Sequence, residues 1–239
     1  MRKEPYTVGS YVHVIKRGSR GLPIVKDEND RRRFLLMLRH FNDEFYPDNW
    51  FKDLLDAKLT HSFERPTVWP SQKRIVEIIC YCLVENHFHF LLREIVEGGI
   101  ARFMKRLGVG MAKYFNEKYK EKGSLFQGAY RSKTISDDTY FHYVSAYIQV
   151  KNCLELHPSG YHLACRNFEN SFLWAEKYPY SSLGEFTGVE TKNIITRGLL
   201  SETFTPTEYK EFCRDFISSR LDMSDIRNEA GFLNLEAVK

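Results

Sequence analysis

The feature that most constrains the fold is a pair of histidines set into a long apolar stretch. His87, Phe88 and His89 lie within residues 78–92, which are otherwise mostly apolar, β-branched or aromatic. Residues of these types predict strand structure. Residues two apart on a strand point to the same face, so the two imidazoles should lie side by side with Phe88 turned into the core. Two neutral imidazoles so placed can bind a divalent metal, although histidines that merely fill polar positions on a half-exposed strand have the same spacing.

The order of the predicted elements favours an α+β fold. We expect strands over residues 11–17, 75–84, 87–95 and 124–135, and helices over residues 27–45, 51–58, 100–119 and 136–151. Such an order predicts an antiparallel sheet with helices on one face, which leaves the other face to the histidines and a ligand. The junction at Glu85-Asn86 allows either a very tight hairpin or one long, kinked strand.

The charge is unevenly distributed along the chain. Residues 1–135 carry 25 Lys and Arg against 16 Asp and Glu, whereas residues 136–239 carry 10 against 15. A basic half with interleaved aromatic residues suits a polyanion partner, although an ordinary charged surface would look the same. No segment approaches the roughly 20 apolar residues of a membrane span, and the N-terminus does not resemble a signal peptide. The odd number of cysteines, without CxxC spacing, suits a reducing compartment.

Several motifs in order resemble one known family. They are Lys16-Arg17-Gly18 after the first strand, the segment Tyr81 to Leu92 around the histidines, Phe103-Met104, Gly123 to Gly128, Tyr143 to Ile148, and Tyr178 to Leu183. Together they resemble the HUH transposases with a single catalytic tyrosine, of the insertion-sequence-200-like and REP-associated tyrosine type. HUH denotes a histidine, a hydrophobic residue and a histidine.

The resemblance implies a fold and a division of the chain. The fold would be the ferredoxin-like or RRM-like HUH fold, an antiparallel sheet with helices on one face, followed by a helical C-terminal tail. Residues 1–188 would form the transposase domain, and residues 189–239 would be an extension of unknown role.

The resemblance also assigns the chemistry. Tyr147 would attack a DNA phosphorus atom, remain joined as a 5′-phosphotyrosine and leave a free 3′-hydroxyl that can later reverse the reaction. His87 and His89 would hold a divalent metal, Mg²⁺ or Mn²⁺, which supports the phosphate chemistry. Without the resemblance, Tyr147 would be interpreted as a packed aromatic residue in an aromatic-rich helix.

Basic residues near the predicted site are candidates for DNA binding. They are Lys16, Arg17, Arg131, Lys133 and Lys151. Contacts of this kind position a strand on the protein without reading its sequence. The family acts on single-stranded or hairpin DNA, so we expect that partner, in the cytoplasm and near the nucleoid of a bacterial or archaeal cell. Family members act as monomers or as homodimers with shared active sites, and the sequence leaves both open.

One position departs from the family pattern. Four residues after the tyrosine the family usually has Asn or Gln as a further metal ligand, and this chain has Lys151, whose ammonium group cannot ligate a metal. Asn152 is the nearest amide, but on a regular helix it is rotated away from Tyr147. It could serve only if the helix ends or distorts there. A milder departure is Glu85, where the family commonly has proline.

These observations leave three functions. The first is a metal-dependent single-strand DNA transposase. The second is a catalytically impaired DNA-binding protein of the same fold, which the lysine at position 151 motivates. The third is a small metallohydrolase that uses His87 and His89, for which Tyr147 would be dispensable.

Overall fold

This computed structural model describes residues 6–224. Residues 1–5 and 225–239, the ends of the predicted domain and tail, lie outside the described residues. The sheet has four strands, β1 (Tyr11–Arg17), β2 (Val76–Leu83), β3 (His87–Glu94) and β4 (Arg131–Ile135). They are ordered β2-β3-β1-β4, and every neighbouring pair is antiparallel. The predicted α+β fold with an antiparallel sheet is therefore confirmed.

Helices join and follow the strands. They are α1 (Glu28–Phe41), α2 (Trp50–Asp56), α3 (Gly99–Tyr119), α4 (Asp138–Ala146), α5 (Asn152–Leu154), α6 (Tyr161–Arg166), α7 (Phe168–Glu176), α8 (Leu183–Thr187), α9 (Gly198–Thr203) and α10 (Pro206–Ser224). A short 3-10 turn covers Ser19–Gly21, and a π-helical segment, Tyr147–Lys151, links α4 to α5. The predicted helical C-terminal region is confirmed over the described part. No helix there is long and apolar enough to cross a membrane.

Strands β2 and β3 form a tight hairpin rather than one kinked strand. The Val84 N–H donates to the His87 carbonyl at 3.0 Å, which closes the turn. The carbonyl of Asn86 accepts the Gly18 N–H at 2.7 Å, so the turn is tied to the end of β1. His87 is consequently fixed as the first residue of β3.

One face of the sheet, which we call the apolar face, carries Phe88 and Phe90. Phe34 from α1 lies 5.3 Å from Phe88, and Phe103 from α3 lies 5.9 Å from Phe90, measured between ring centroids. All four side chains are buried. Helices α1 and α3 therefore cover this face, because their apolar residues recur at the spacing of one helical face.

The opposite face, which we call the histidine face, carries His87 and His89. The π-helical segment lies against β2 and β3 on this side. Helix α10 packs on α4 through ring contacts of Phe212 and Phe216 with Tyr143, each at 5.8 Å. Residues 206–220 of the extension thus join the layer that covers the histidine face.

Strand β4 is shorter than predicted. The sequence predicts a strand over residues 124–135, whereas the structure has one only over Arg131–Ile135. The preceding residues form an irregular segment that meets the end of β1, where the Gln127 N–H donates to the Arg17 carbonyl at 3.0 Å. This bond and the one from the Ser19 N–H to the Leu125 carbonyl at 2.9 Å form an isolated bridge between Gly18 and Phe126 in place of a continuous ladder.

Candidate active site

The structure places His87 and His89 side by side, as the strand alternation predicts. Their ring centroids are 4.9 Å apart, and the rings are nearly perpendicular. His89 is fully buried, whereas His87 is half-buried at the start of β3. The Nδ1 atom of His87 lies 2.7 Å from the Asn86 side-chain oxygen. This hydrogen bond constrains the orientation of the His87 ring and engages its Nδ1 side.

A third histidine, His13 on β1, joins this pair. Its Nε2 atom lies 3.1 Å from Nδ1 of His89, and the two rings stack with centroids 5.3 Å apart. Both side chains are buried, so this contact is shielded from water. Sequence analysis missed His13, although it is a histidine in the middle of the predicted first strand, which is a signal that could have made it a candidate.

Tyr147 lies over these histidines. Its ring centroid is 5.5 Å from that of His89 and 6.2 Å from that of His13, in edge-to-face geometry. Residues nearly sixty positions apart in one chain therefore lie next to each other. The Tyr147 side chain is only 3% exposed.

The helix that carries Tyr147 changes its winding at this residue. Tyr147–Lys151 is π-helical, and the Asn152 N–H donates to the Tyr147 carbonyl five residues earlier. An α-helix makes this bond over four residues, so the π-turn takes up one additional residue. Asn152, rather than Lys151, therefore lies one turn beyond Tyr147. Asn152 could serve as a ligand only if the helix ends or distorts there, and the π-turn is such a distortion.

Asn152 is a buried amide without a hydrogen-bond partner among residues 6–224. Its side chain is 1% exposed, and neither its oxygen nor its nitrogen is hydrogen-bonded among the described residues. Leaving such a group unsatisfied costs about 1–3 kcal/mol, so each instance calls for an explanation such as an absent ion or water. Lys151 instead directs its ammonium group to Glu155 at 2.6 Å.

In the chain, Asn152 lies between Tyr147 and a segment that lines an open cleft. Leu156, four residues further on and beyond the end of α5, lines this cleft together with His87. Tyr147, one π-turn earlier, covers His89.

The donor set determines how a metal could be held. Among residues 6–224, no three side chains of His, Cys, Asp or Glu are grouped to hold a metal ion. The protein groups that could donate to a metal here are the imidazoles of His87 and His89 and the amide of Asn152. Imidazole suits most divalent transition ions, and amide oxygen suits Mg²⁺ and Mn²⁺. The unsatisfied Asn152 amide is what a site of this composition would leave behind once its ion is removed.

The predicted DNA-binding residues do not all lie together. Arg131 pairs across β1 with Ile15, which pairs with His89, and Lys133 pairs with His13. Directly opposed residues share a face, so exposed Arg131 and Lys133 lie on the histidine face. Arg17 is exposed opposite His87 and shares that face as well.

Lys16 lies on the other side of the sheet. It pairs with Phe88, donates to the Gly128 carbonyl at 2.9 Å and lies 4.6 Å from the centroid of the Phe126 ring. Burial lowers the pKa of its ammonium group. The sequence grouped Lys16 with Arg17, and the structure separates them because neighbouring residues on a strand face opposite ways.

The chain is similar to known proteins over the part that contains these residues. Residues 52–151 match the family model described as "Transposase IS200 like", which confirms the resemblance over that segment. The segment includes β2, β3 and the π-turn, and therefore His87, His89 and Tyr147. Solved structures that match include that of the REP-associated tyrosine transposase bound to a REP hairpin, with 12% identity and a TM-score of 0.42, covering 81% of this chain and 88% of that chain. No curated protein matches.

Proposed function

We propose that this chain, whose residues 52–151 match the IS200-like transposase family model, cleaves and rejoins single-stranded DNA through Tyr147. The observation that supports this most is the phenol ring packed 5.5 Å from the His89 ring within one chain. A nucleophile and a metal-binding pair must be adjacent for phosphoryl transfer. Its substrate would be chromosomal DNA in the cytoplasm of a bacterial or archaeal cell.

The reaction forms one bond and breaks one. The Tyr147 hydroxyl oxygen bonds to the phosphorus atom and loses its proton, while the bond from phosphorus to the 3′-oxygen breaks and that oxygen gains a proton. The product is a 5′-phosphotyrosine with a free 3′-hydroxyl. Because one phosphate ester replaces another, the 3′-hydroxyl of the same or another strand can reverse the step without an added energy source.

We propose that His87, His89 and Asn152 hold one divalent cation, Mg²⁺ or Mn²⁺. Such an ion neutralises negative charge on the phosphate and on the leaving oxygen when bound. The protein's own contribution is to fix the donors. His13 holds the His89 ring through Nδ1, Asn86 holds the His87 ring, and the π-turn places Asn152 one turn after Tyr147 in the helix.

Single-stranded or hairpin DNA is the proposed substrate. Exposed Arg17, Arg131 and Lys133 share the histidine face and would contact phosphates along an unpaired strand. Such contacts give affinity and steep salt dependence without sequence readout.

The principal test is adduct formation. Incubating the protein with an end-labelled hairpin oligonucleotide and Mn²⁺ should give a covalent protein–DNA band on a denaturing gel, and Tyr147→Phe should remove it. Tyr143→Phe, which changes a partly exposed tyrosine on the neighbouring helix, is the matched control and should retain the band. Cleavage that persists in Tyr147→Phe would favour a metallohydrolase instead.

The metal centre has a test that does not depend on turnover. Mn²⁺ binding to the DNA-free protein, followed by electron paramagnetic resonance, should weaken by about 10–100-fold in Asn152→Ala. Lys151→Ala, one residue away, should bind Mn²⁺ as the parent does. Equal affinity in all three proteins would remove Asn152 from the proposed site.

A second candidate is a DNA-binding module without turnover. The burial of Tyr147, at 3% exposure, favours it because a phosphate cannot reach a buried side chain without rearrangement. This candidate predicts hairpin binding that weakens steeply with salt, no metal requirement and no covalent adduct under any metal.

A further inference from the structure

Helix α10 is attached to the segment that carries the nucleophile. The Tyr209 hydroxyl donates to the Ser145 hydroxyl at 3.1 Å and accepts from the Gln149 amide at 3.0 Å. These two partners lie two residues before and two residues after Tyr147. Both contacts are buried, so α10 is held in a fixed position relative to Tyr147.

The spacing of residues along α10 places the guanidinium group of Arg220 near the Tyr147 ring. Tyr209, Phe216 and Arg220 recur at intervals of seven and four residues, which places them on one helix face. The Arg220 guanidinium carbon lies 5.0 Å from the Phe216 ring centroid and 5.7 Å from the Tyr147 ring centroid. The extension, whose role the sequence leaves open, therefore carries an arginine to the candidate nucleophile.

Arg220 differs from the neighbouring basic residues in its ion pairing. Lys151, whose ammonium group is 4.8 Å from the Tyr147 ring centroid, is neutralised by Glu155. Arg214, on the same helix, is paired with Glu169. Within residues 6–220, whose side chains the structure describes, no carboxylate forms a salt bridge with Arg220. With respect to the side chains of residues 6–220, its guanidinium donors are therefore available to an anionic ligand.

We propose that Arg220 is a catalytic residue that binds the scissile phosphate at Tyr147, and this inference rests on the proposed function. A guanidinium group presents two parallel N–H donors that match two phosphate oxygens. Here it would contact the non-bridging oxygens while the Tyr147 oxygen bonds to phosphorus and the 3′-oxygen departs. The same contact would hold the phosphotyrosine until a 3′-hydroxyl returns.

The test separates binding from chemistry. The rate of adduct formation is measured with a saturating labelled hairpin and Mn²⁺, and the reverse step is measured by adding a strand with a free 3′-hydroxyl. Arg220→Ala should slow both steps by about 100-fold, while DNA affinity changes by less than about tenfold, as expected for loss of one phosphate contact among several. Arg220→Lys should recover part of the rate, because the charge remains without the paired donors.

Matched measurements define the outcomes. Arg214→Ala removes the same charge from the same helix away from Tyr147 and should leave both rates unchanged. Mn²⁺ affinity and Tm of Arg220→Ala should equal those of the parent protein, which distinguishes Arg220 from the metal-binding residues and from a structural role. If Arg220→Ala forms the adduct at the parental rate, or loses rate only together with Tm, the inference is overturned although the proposed function stands. If the parent protein forms no adduct, both are overturned.

Discussion

The two faces of β3 differ in chemistry even at positions that are equally buried. Phe88 and Phe90 are fully buried on the apolar face, and His89 is equally buried on the histidine face. The phenylalanine rings need only close packing, whereas each imidazole needs partners for its nitrogen atoms. One alternating run, His87 to Phe90, therefore serves two purposes. Residues that stabilise the fold and residues that prepare a reaction can be told apart by their partners, but not by exposure.

The largest effect on stability should come from the apolar face. Phe90→Ala should lower the free energy of unfolding by about 3–5 kcal/mol, because it removes a large buried side chain and leaves a cavity between α1 and α3. His87→Ala should cost less than about 1 kcal/mol. Urea denaturation measures both, and equal losses would contradict the division between the faces.

The next largest effect should be on metal affinity through His13. His13→Ala should weaken Mn²⁺ binding by about 10–100-fold, because the Nδ1 atom of His89 loses the partner that orients the ring. His61, an exposed histidine distant in the chain from this cluster, provides the control variant. Unchanged Mn²⁺ affinity in His13→Ala, measured by titration calorimetry on folded protein, would show that the His89 ring holds its orientation without it.

Asn152 should show opposite effects on stability and on metal binding. Asn152→Leu should stabilise the metal-free protein by about 1 kcal/mol, because it replaces an unsatisfied buried amide with an apolar side chain of similar volume. The same substitution should remove the Mn²⁺-dependent increase in Tm. A variant that is strongly destabilised without metal would indicate that the amide has a structural partner.

The smallest effect concerns pH and the helix that covers the apolar face. Burial lowers the pKa of His40 on α1 from 6.5 to about 3. The unfolded chain then binds more protons than the folded one below pH 6.5, so stability falls as the pH is lowered from about 6.5 towards 3.

Between pH 7 and pH 6 this single group should reduce the free energy of unfolding by about 0.7 kcal/mol. Its ring nitrogens have no hydrogen-bond partner among the described residues, so His40→Phe should fold and should flatten this part of the pH profile. A profile that is unchanged in His40→Phe would assign the slope to other groups.

Local periodicity explains what the sequence could predict. The alternation of His87 to Phe90 identifies β3 and its two faces, and the apolar spacing of α1 and α3 identifies their buried sides. The resemblance adds Tyr147, which no periodic pattern distinguishes from its aromatic neighbours. These signals are local or family-specific, and the structure brings His87, His89 and Tyr147 together as they imply.

The remaining features depend on contacts between distant segments. At Tyr147 the backbone can form either α-helical or π-helical hydrogen bonds. No residue in Tyr147–Lys151 indicates that the π-turn forms. The contact of His13 with His89 depends on the register of β1 against β3. Arg220 reaches Tyr147 only because α10 docks on α4, more than sixty residues earlier in the chain.

The covered position of Tyr147 has a consequence for the lifetime of the covalent intermediate. A phosphotyrosine is vulnerable to hydrolysis. Hydrolysis would leave a cut DNA end without the phosphate ester bond to tyrosine that rejoining requires. Exclusion of bulk solvent from the linkage would prevent this loss. Slow access of DNA to Tyr147 and faithful rejoining of the cut strand would then have the same structural origin.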